Sequence, residues 1–238
     1  KMNNMTMRVR DIRRHFKDEL REERFIIDKT GAKTIELIGA SFIADEPAIF
    51  GTPNEDYIGK EIEWYQSMST NIHDINKEGE PPAAWKYAAS EHGEINSNYG
   101  LLTMADEYHN QLGHVVDELT SNPDSRRACM IYNRPSIWTE YDKNGMSDFI
   151  CTNAVSYMIR NDKLISVVQM RSNDVVYGYK NDYAWQRWMQ EEVCSLYNIF
   201  KPMIQPGEII WQVQNLHIYE KHFNLVVPTF LEKNTYAK

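Results

Sequence analysis

Two hydrophobic patterns alternate along the chain. In four polar stretches, apolar residues recur every three, four or seven positions, which is the spacing of one face of an α-helix. The four stripes are Ile12, Phe16 and Leu20; Ile58, Ile62 and Tyr65; Tyr108, Leu112, Val115 and Leu119; and Trp185, Met189, Leu196 and Phe200. Between and after them, short runs rich in β-branched residues predict strands over residues 34–40, 154–159, 164–170 and 208–213. The pattern therefore predicts mixed helices and strands.

Two of these strands are predicted to form a β-hairpin that gathers reactive side chains. Residues 154–159 and 164–170 flank the turn-forming residues 161–163, Asn-Asp-Lys. Because a hairpin brings its two ends together, Cys151 at its entrance is expected to lie near residues 171–174 at its exit. A thiol would then lie beside an arginine, although a lone cysteine can also serve simply as a small core residue.

Composition narrows the class of protein. The chain has 238 residues and a mass of 28.0 kDa, and 42% of its residues are hydrophobic, which favours one globular domain over residues 1–238. The net charge of −8 argues against direct nucleic-acid binding, so an anionic substrate would need clustered arginines. Three cysteines without CxxC spacing and histidines without ligand spacing predict neither a disulfide framework nor a metal site. With no apolar run of membrane length and a charged N-terminus, a cytoplasmic protein is expected.

The segment after Cys151 resembles the active site of the thymidylate synthase family. In that family the active-site cysteine is followed, at this spacing, by Gln-Arg-Ser-x-Asp-Val-x-x-Gly, and this chain has QMRSNDVVYG at residues 169–178. At least six ordered segments of similarity span residues 28–219. The resemblance implies an α+β fold with a large mixed β-sheet covered by helices. It also implies a homodimer in which the sheets of two subunits pack together.

The resemblance assigns catalytic roles to four residues. Cys151 corresponds to the nucleophile that adds to C6 of a pyrimidine nucleotide. Glu61 corresponds to the general acid/base; its place on the apolar face of a predicted helix indicates burial, although a core ion pair would also account for it. Tyr99 corresponds to a member of the active-site water network. Asp174 corresponds to a carboxylate that contacts the folate pterin and the same waters, and capping of the following turn is its alternative role.

The resemblance also implies which residues hold the nucleotide. The phosphate would be bound by Lys29, Arg171 and Ser172 of one subunit and by Arg126 and Arg127 of the other, and the sugar 3′-hydroxyl by His217 and Tyr219. Arginines shared in this way would make each site incomplete without its partner, so an obligate homodimer is expected. Without the resemblance, a basic turn and two adjacent arginines are equally compatible with a solvated surface.

Asp182 bears on the identity of the pyrimidine. Thymidylate synthases have Asn at this position, and an amide can donate to O4 of uracil and accept from its N3–H. Cytosine instead carries an amino group at C4 and an unprotonated N3, which suit a carboxyl group. Together with NPDSRR, GMSDF and RSNDVVYGY, Asp182 resembles the deoxycytidylate hydroxymethylase branch found in bacteriophages and implies dCMP as substrate. An acidic residue in the first turn of a helix over residues 182–200, capped by Asn181, would also be explained by the helix dipole alone.

The branch also implies a particular reaction. Both branches use 5,10-methylenetetrahydrofolate, for which Trp85 corresponds to a folate contact. Thymidylate synthases finish with a hydride transfer, whereas the hydroxymethylases add water and release tetrahydrofolate. Thr152 stands where synthases have His, and residues 101–104 replace a basic, Trp-containing run of the synthases. Both departures are consistent with water reaching the reaction intermediate.

Several alternatives remain open from the sequence. A thymidylate synthase, or a dUMP or CMP hydroxymethylase of the same family, differs in substrate; Asp182 opposes uracil, while His217 and Tyr219 do not by themselves exclude a ribose 2′-hydroxyl. A silent nucleotide- or RNA-binding module is opposed by Cys151 together with Glu61. If the protein comes from a phage, we expect it in the host-cell cytoplasm, in a complex with nucleotide-synthesis enzymes and without contact to membranes.

Overall fold

The computed structural model describes residues 7–226 of the chain. Its helices are α1 (Val9–Arg21), α2 (Glu55–Ser67), α3 (Ala83–Ala88), α4 (Tyr99–Met104), α5 (Gln111–Ser121), α6 (Ile137–Glu140) and α7 (Tyr177–Phe200). Its strands are β1 (Ile26–Ile27), β2 (Lys33–Ile43), β3 (Cys129–Ile131), β4 (Thr152–Arg160), β5 (Lys163–Asp174) and β6 (Gln205–Tyr219). The strands form a six-stranded sheet in the order β1-β2-β6-β5-β4-β3. The predicted α+β class with a large sheet is therefore confirmed.

The described residues divide into two compact units. The first contains residues 7–53, 169–187 and 208–226, and the second contains residues 54–168 and 188–207. Strands β5 and β6 and helix α7 contribute residues to both units. The single catalytic domain over residues 1–238 stays a prediction.

In the first unit, helix α1 packs against β2, and β2 pairs with β6 in antiparallel register. Ile35 lies opposite Ile218 in this pair. The predicted α1 stripe is correct for Ile12 and Phe16, which are fully buried. Leu20 is only half-buried because it lies in the last turn of the helix. Burial of the α1 stripe fixes this helix on the sheet.

Helix α7 begins at Tyr177, five residues before the predicted start at Asp182. Asn181 therefore lies inside the helix, and its predicted capping role is wrong. The Asp174 carboxylate instead accepts hydrogen bonds of 3.0, 2.9 and 3.1 Å from the backbone N–H groups of residues 176–178. These donors have no partner within the first turn of a helix, so Asp174 satisfies the start of α7.

In the second unit, the buried face of α2 differs from the predicted one. Glu61, Trp64 and Tyr65 are buried, whereas Ile58 and Ile62 are half-buried. The face is shifted because the aromatic side chains contact helices α3 and α4. Burial of Glu61, the prediction that matters for function, is confirmed.

The hairpin predicted around residues 161–163 is confirmed. Strands β4 and β5 are neighbours in the sheet, and Asn161 and Asp162 between them have φ values of 52° and 60°. Two successive residues in this left-handed region are typical of the tight turns that join antiparallel strands. The proximity of Cys151 to residues 171–174 stays a prediction.

Two apolar assignments are wrong in detail. Apart from these, Cys129 is half-buried because it lies in a three-residue strand at the edge of the sheet. Phe200 is 71% exposed because it is the last residue of α7. Tyr108 lies in a 3-10 turn before α5 and outside that helix.

Candidate functional site

A buried carboxyl group lies among hydrogen-bond donors in the second unit. Glu61 is 5% exposed, and its Oε2 accepts a hydrogen bond from the Tyr57 hydroxyl and one of 3.1 Å from the Trp85 indole N–H. Tyr57 lies one helical turn before Glu61, which places both side chains on one face of α2. Burial raises the pKa of Glu61, while hydrogen bonds from Tyr57, Trp85 and Tyr65 act in the opposite direction. The carboxyl group is thus biased towards its neutral, proton-carrying form.

Tyr99 is held between an aromatic ring and a buried hydroxyl group in the same unit. Its ring stacks on Tyr65 with 5.3 Å between centroids, and its hydroxyl accepts a hydrogen bond of 2.9 Å from the Thr152 hydroxyl. Thr152 directly follows Cys151, which is half-buried and whose Sγ lies 3.8 Å from the Phe149 carbonyl oxygen. The structure therefore connects Tyr99 to the residue beside the predicted nucleophile.

A close backbone approach between α2 and α4 positions Tyr99. A Cβ atom at Gly100 would lie 1.7 Å from the Tyr65 carbonyl oxygen, so only glycine fits there. The Asn98 side chain accepts a hydrogen bond of 2.9 Å from the Leu101 backbone N–H at the start of α4. The same side chain donates a hydrogen bond of 3.1 Å to the Trp64 carbonyl oxygen in α2. These contacts lock the two helices together around Tyr99.

Asp148 supports this arrangement and was missed by the sequence analysis. Its buried carboxylate accepts hydrogen bonds from the backbone N–H groups of Asn96 and Ser97 at 2.7 and 2.8 Å, and from the Ser97 hydroxyl at 2.8 Å. These bonds anchor the segment that leads into Tyr99. The available signal was the family phrase GMSDF, which contains Asp148.

In the first unit, Asp182 is bound by a side-chain amide. Asn173 Nδ2 donates a hydrogen bond of 2.9 Å to Asp182 Oδ2, and Trp211 Nε1 donates one of 3.2 Å to Asn173 Oδ1. An indole N–H can only donate, so Trp211 identifies the oxygen of the Asn173 amide and turns its NH₂ group towards Asp182. Asn173 and Trp211 are both buried. The sequence motif predicts a role for Asp182 but not for these two supporting residues.

His217 and Tyr219 lie together on β6, as their spacing in the motif requires. Their rings meet at 67° with 5.0 Å between centroids. His217 Nδ1 lies 3.0 Å from the side-chain oxygen and 3.3 Å from the backbone oxygen of Asn215. Because both neighbours of Nδ1 are oxygens, Nδ1 carries a proton and Nε2 of the neutral ring is an acceptor. Burial lowers the pKa of His217, against the opposing charge of Asp174, so the neutral ring is favoured.

Lys29 lies in a turn that is ordered by its neighbour. Asp28 Oδ1 accepts hydrogen bonds from the Thr30 backbone N–H at 2.7 Å, the Thr30 hydroxyl at 2.6 Å and the Ala32 backbone N–H at 3.1 Å. Gly31, with φ of 85°, supplies the left-handed residue of this turn. The hydrogen bonds from Thr30 hold the pKa of Asp28 below its usual range. The turn presents Lys29 as an exposed cation.

The remaining predicted phosphate ligands are distributed over both units. Arg171 and Ser172 are half-buried on β5, while Arg126 is exposed. Arg127 donates a hydrogen bond of 2.8 Å from Nε to Glu118, and its side chain is 82% exposed. Contact of Arg126 and Arg127 with the phosphate of a second subunit stays a prediction.

The structure therefore brings together some of the predicted residues. It joins Glu61 with Trp85, and His217 with Tyr219; the other proposed groupings stay predictions. Within residues 7–226, no cluster of three or more His, Cys, Asp or Glu side chains could hold a metal ion. None of the helices in that range is long and apolar enough to cross a membrane.

Comparison with known proteins identifies the family. The thymidylate synthase family model matches residues 18–238. The deoxycytidylate 5-hydroxymethyltransferases of enterobacteria phages T6 and T4 are 52% and 51% identical to this chain over 223 residues, which cover 93% of this chain and 90% of each relative. A thymidylate synthase from Fusobacterium nucleatum is 26% identical over 71% of this chain and 58% of its own length. The chain therefore belongs to the thymidylate synthase family.

Proposed function

We propose that the protein is a deoxycytidylate 5-hydroxymethyltransferase. It transfers a one-carbon unit from 5,10-methylenetetrahydrofolate to C5 of dCMP, with addition of water, and gives 5-hydroxymethyl-dCMP and tetrahydrofolate. Two phage relatives with 52% and 51% identity bear the name of this activity. The structural observation that carries the proposal is the carboxyl group of Asp182, held by Asn173 at 2.9 Å.

Asp182 selects cytosine by hydrogen bonding. Its Oδ2 already accepts from Asn173, so when Asp182 carries a proton, that proton lies on Oδ1. A carboxyl group in this state can donate to the unprotonated N3 of cytosine and accept from the C4 amino group. Uracil presents the opposite pattern, with a donor at N3 and an acceptor at C4, so it leaves polar atoms unpaired. The same geometry therefore favours dCMP over dUMP.

Cys151 activates the base by covalent catalysis. Its thiolate adds to C6 of cytosine, and the electron pair of the C5–C6 double bond makes C5 nucleophilic. The folate supplies the one-carbon unit when it is bound. Glu61, whose pKa is raised by burial, holds and returns protons during these steps, and the Tyr99 hydroxyl orders water near the base. Loss of the C5 proton separates the one-carbon unit from the folate, water adds to that carbon, and the electron pair returned to C5 expels the Cys151 thiolate and restores the C5–C6 double bond.

The nucleotide is held through its sugar and phosphate. The neutral His217 ring accepts at Nε2 from the sugar 3′-hydroxyl, and the Tyr219 hydroxyl contacts the same group. Lys29, Arg171 and Ser172 bind the phosphate from the same subunit. An ordered turn around Lys29 supports this role, because the cation is presented without further ordering of the backbone.

Trp85 and Asp174 contact the folate. The indole N–H of Trp85 donates to Glu61, so its half-buried ring is what remains for contact with the ring system of the pterin. Three backbone N–H groups fix the Asp174 carboxylate, which is then ready to accept from pterin donors. Helix capping and folate contact are compatible, since a carboxylate has about four acceptor positions.

The active form is a homodimer in which Arg126 and Arg127 reach the phosphate bound by the other subunit. Their exposure on the surface of one chain supports this assignment. Mixed dimers of Cys151→Ser and Arg126→Ala chains test it. Shared arginines leave one intact site in each mixed dimer and predict recovery of about a quarter of the parent activity. Arginines acting within their own subunit predict no recovery.

The product is a modified DNA precursor, so we place the protein in the host-cell cytoplasm with other nucleotide-synthesis enzymes. The chemistry of product use motivates this association, because the product has to be phosphorylated further before it enters DNA. Pull-down from producing cells is the measurement. Recovery of such enzymes supports the association, and recovery of the dimer alone contradicts it.

The fate of the folate tests the reaction type. We expect tetrahydrofolate and 5-hydroxymethyl-dCMP in equal amounts when the protein is incubated with dCMP and methylenetetrahydrofolate. Dihydrofolate with a methylated product would contradict the proposal, because it requires hydride transfer. A parallel incubation with CMP measures the ribose tolerance, and Cys151→Ala is the inactive control.

A further inference from the structure

Tyr57, Trp85 and Glu61 form a closed triangle of hydrogen bonds. Trp85 Nε1 lies 3.1 Å from Glu61 Oε2 and 3.2 Å from the Tyr57 hydroxyl oxygen, and the Tyr57 hydroxyl contacts the same carboxylate oxygen. An indole N–H only donates, so Trp85 shares its one proton between Glu61 Oε2 and the Tyr57 oxygen, and the Tyr57 hydroxyl donates to Glu61 when that carboxyl group is charged. Tyr57 thus supports the charged form of Glu61.

Tyr57 also borders open space, unlike the buried Glu61. It lines a cavity of about 230 Å³ whose other lining residues are Asp56, Lys60, Asn76, Glu80 and Pro82. The groups that act on the Glu61 carboxyl are Tyr57 and Tyr65 from α2 and Trp85 from α3. Tyr99 of α4 stacks on Tyr65. Tyr57 is therefore the side chain that contacts both the carboxyl group and the cavity with its charged lining.

We propose that Tyr57 is a positioning residue for Glu61, which holds Oε2 in place and sets the pH range over which Glu61 exchanges protons. The inference rests on the proposed function, in which Glu61 is the general acid/base. A phenol that donates to a carboxylate stabilises the charged form and counteracts the effect of burial. Without Tyr57, Glu61 keeps its proton to higher pH and accepts protons poorly near neutrality.

Tyr57→Phe tests the proposal because it removes the hydroxyl and keeps the ring. We expect the titration midpoint of Glu61, followed by ¹³C NMR of labelled glutamate and assigned with Glu61→Gln, to move to higher pH. We expect kcat at neutral pH to fall by about 10- to 100-fold, the effect of one hydrogen bond to a charged group, with KM for dCMP within about twofold. Tyr87→Phe, at a tyrosine 79% exposed, is the matched control and should change neither quantity.

An unchanged Glu61 midpoint in Tyr57→Phe overturns the proposal. The NMR titration needs no turnover, so absence of dCMP hydroxymethylation in the parent protein would count against the proposed function and leave the role of Tyr57 testable. If Tyr57→Phe does not fold, 3-fluorotyrosine at position 57 keeps the ring and provides a stronger donor. The midpoint of Glu61 should then move to lower pH, and an unchanged midpoint again overturns the proposal.

Discussion

The side-chain amide of Asn173 donates a hydrogen bond of 2.9 Å to Asp182 Oδ2. The two residues are nine positions apart, on β5 and in α7, and Trp211 fixes the direction of the amide. A carboxyl group held in this way has a defined acceptor oxygen, which is a requirement for distinguishing cytosine from uracil. If Asp182 selects the base as proposed, the choice of base depends on this supporting amide as well as on Asp182.

Asp182→Asn should change the preferred base. The amide can donate to O4 and accept from N3–H, so it matches uracil and leaves the polar edge of cytosine unsatisfied. We expect kcat/KM for dCMP to fall by at least about 100-fold, and the activity with dUMP to rise. Initial rates with the two nucleotides measure the change. Equal losses with both nucleotides would contradict the assigned role of Asp182.

Asn173→Ala should loosen Asp182 without changing its chemistry. Loss of one hydrogen bond to a charged or polar carboxyl group predicts a fall of about 10-fold in kcat/KM for dCMP, with no gain for dUMP. Asn181→Ala, the same substitution beside Asp182 in α7, is the control and should stay within about twofold of the parent. Equal losses of kcat/KM for dCMP in the two variants would contradict the role of Asn173 in holding Asp182.

Glu61→Gln should separate stability from activity. Burial raises the pKa of Glu61, so the folded protein holds this proton more tightly than the unfolded chain. The resulting stability is present below the unfolded-state pKa and is lost as pH rises through the folded-state pKa. Glutamine stays neutral, so the variant should gain stability relative to the parent as pH rises from about 5 to 8, while product formation falls by about 10²- to 10⁴-fold.

Urea unfolding midpoints across that pH range measure the stability difference. Glu63→Gln is a matched control in the same helix, because Glu63 is exposed. The stability difference between Glu61→Gln and the parent should change with pH. A constant difference would contradict the claim that burial of charged Glu61 lowers the free energy of unfolding.

Gly100→Ala should strongly destabilise the second unit. The added Cβ would lie 1.7 Å from the Tyr65 carbonyl oxygen, so the backbones of α2 and α4 would have to separate. We expect a loss of about 3 kcal/mol or more in the free energy of unfolding, with loss of activity through Tyr99. At Gly59 in α2, an added Cβ meets nothing within 4 Å, so Gly59→Ala should be neutral or stabilise by up to about 1 kcal/mol. Similar unfolding free energies for the two variants would contradict the argument.

Local patterns in the sequence were sufficient to predict most helices and strands and the burial of Glu61. They failed where the deciding contact is made by a distant residue. The buried face of α2 turns towards Trp64 because of aromatic contacts with α3, which no spacing within α2 reports. The early start of α7 depends on Asp174, a residue of the preceding strand whose carboxylate substitutes for a conventional cap.

In the candidate site, too, residues within local motifs were predicted, whereas residues that act through distant contacts were not. Family motifs identified Asp182 and Glu61, since each lies inside a recognisable segment. The residues that hold them could not be predicted in this way: Trp211 lies 38 positions from Asn173, and their hydrogen bond exists only in the folded chain. Tyr57 lies one turn from Glu61, but residues with this spacing occur in any helix. Only the contact between Tyr57 and Trp85 in the folded chain indicates that Tyr57 supports Glu61.

The most direct measurement of the central claim is release of the C5 hydrogen from [5-³H]dCMP and, separately, from [5-³H]dUMP, with methylenetetrahydrofolate present and the product mass recorded. We expect tritium release from dCMP and a product heavier than dCMP by CH₂O. Release from dUMP, with a product heavier by CH₂ and formation of dihydrofolate, would contradict it and identify a thymidylate synthase.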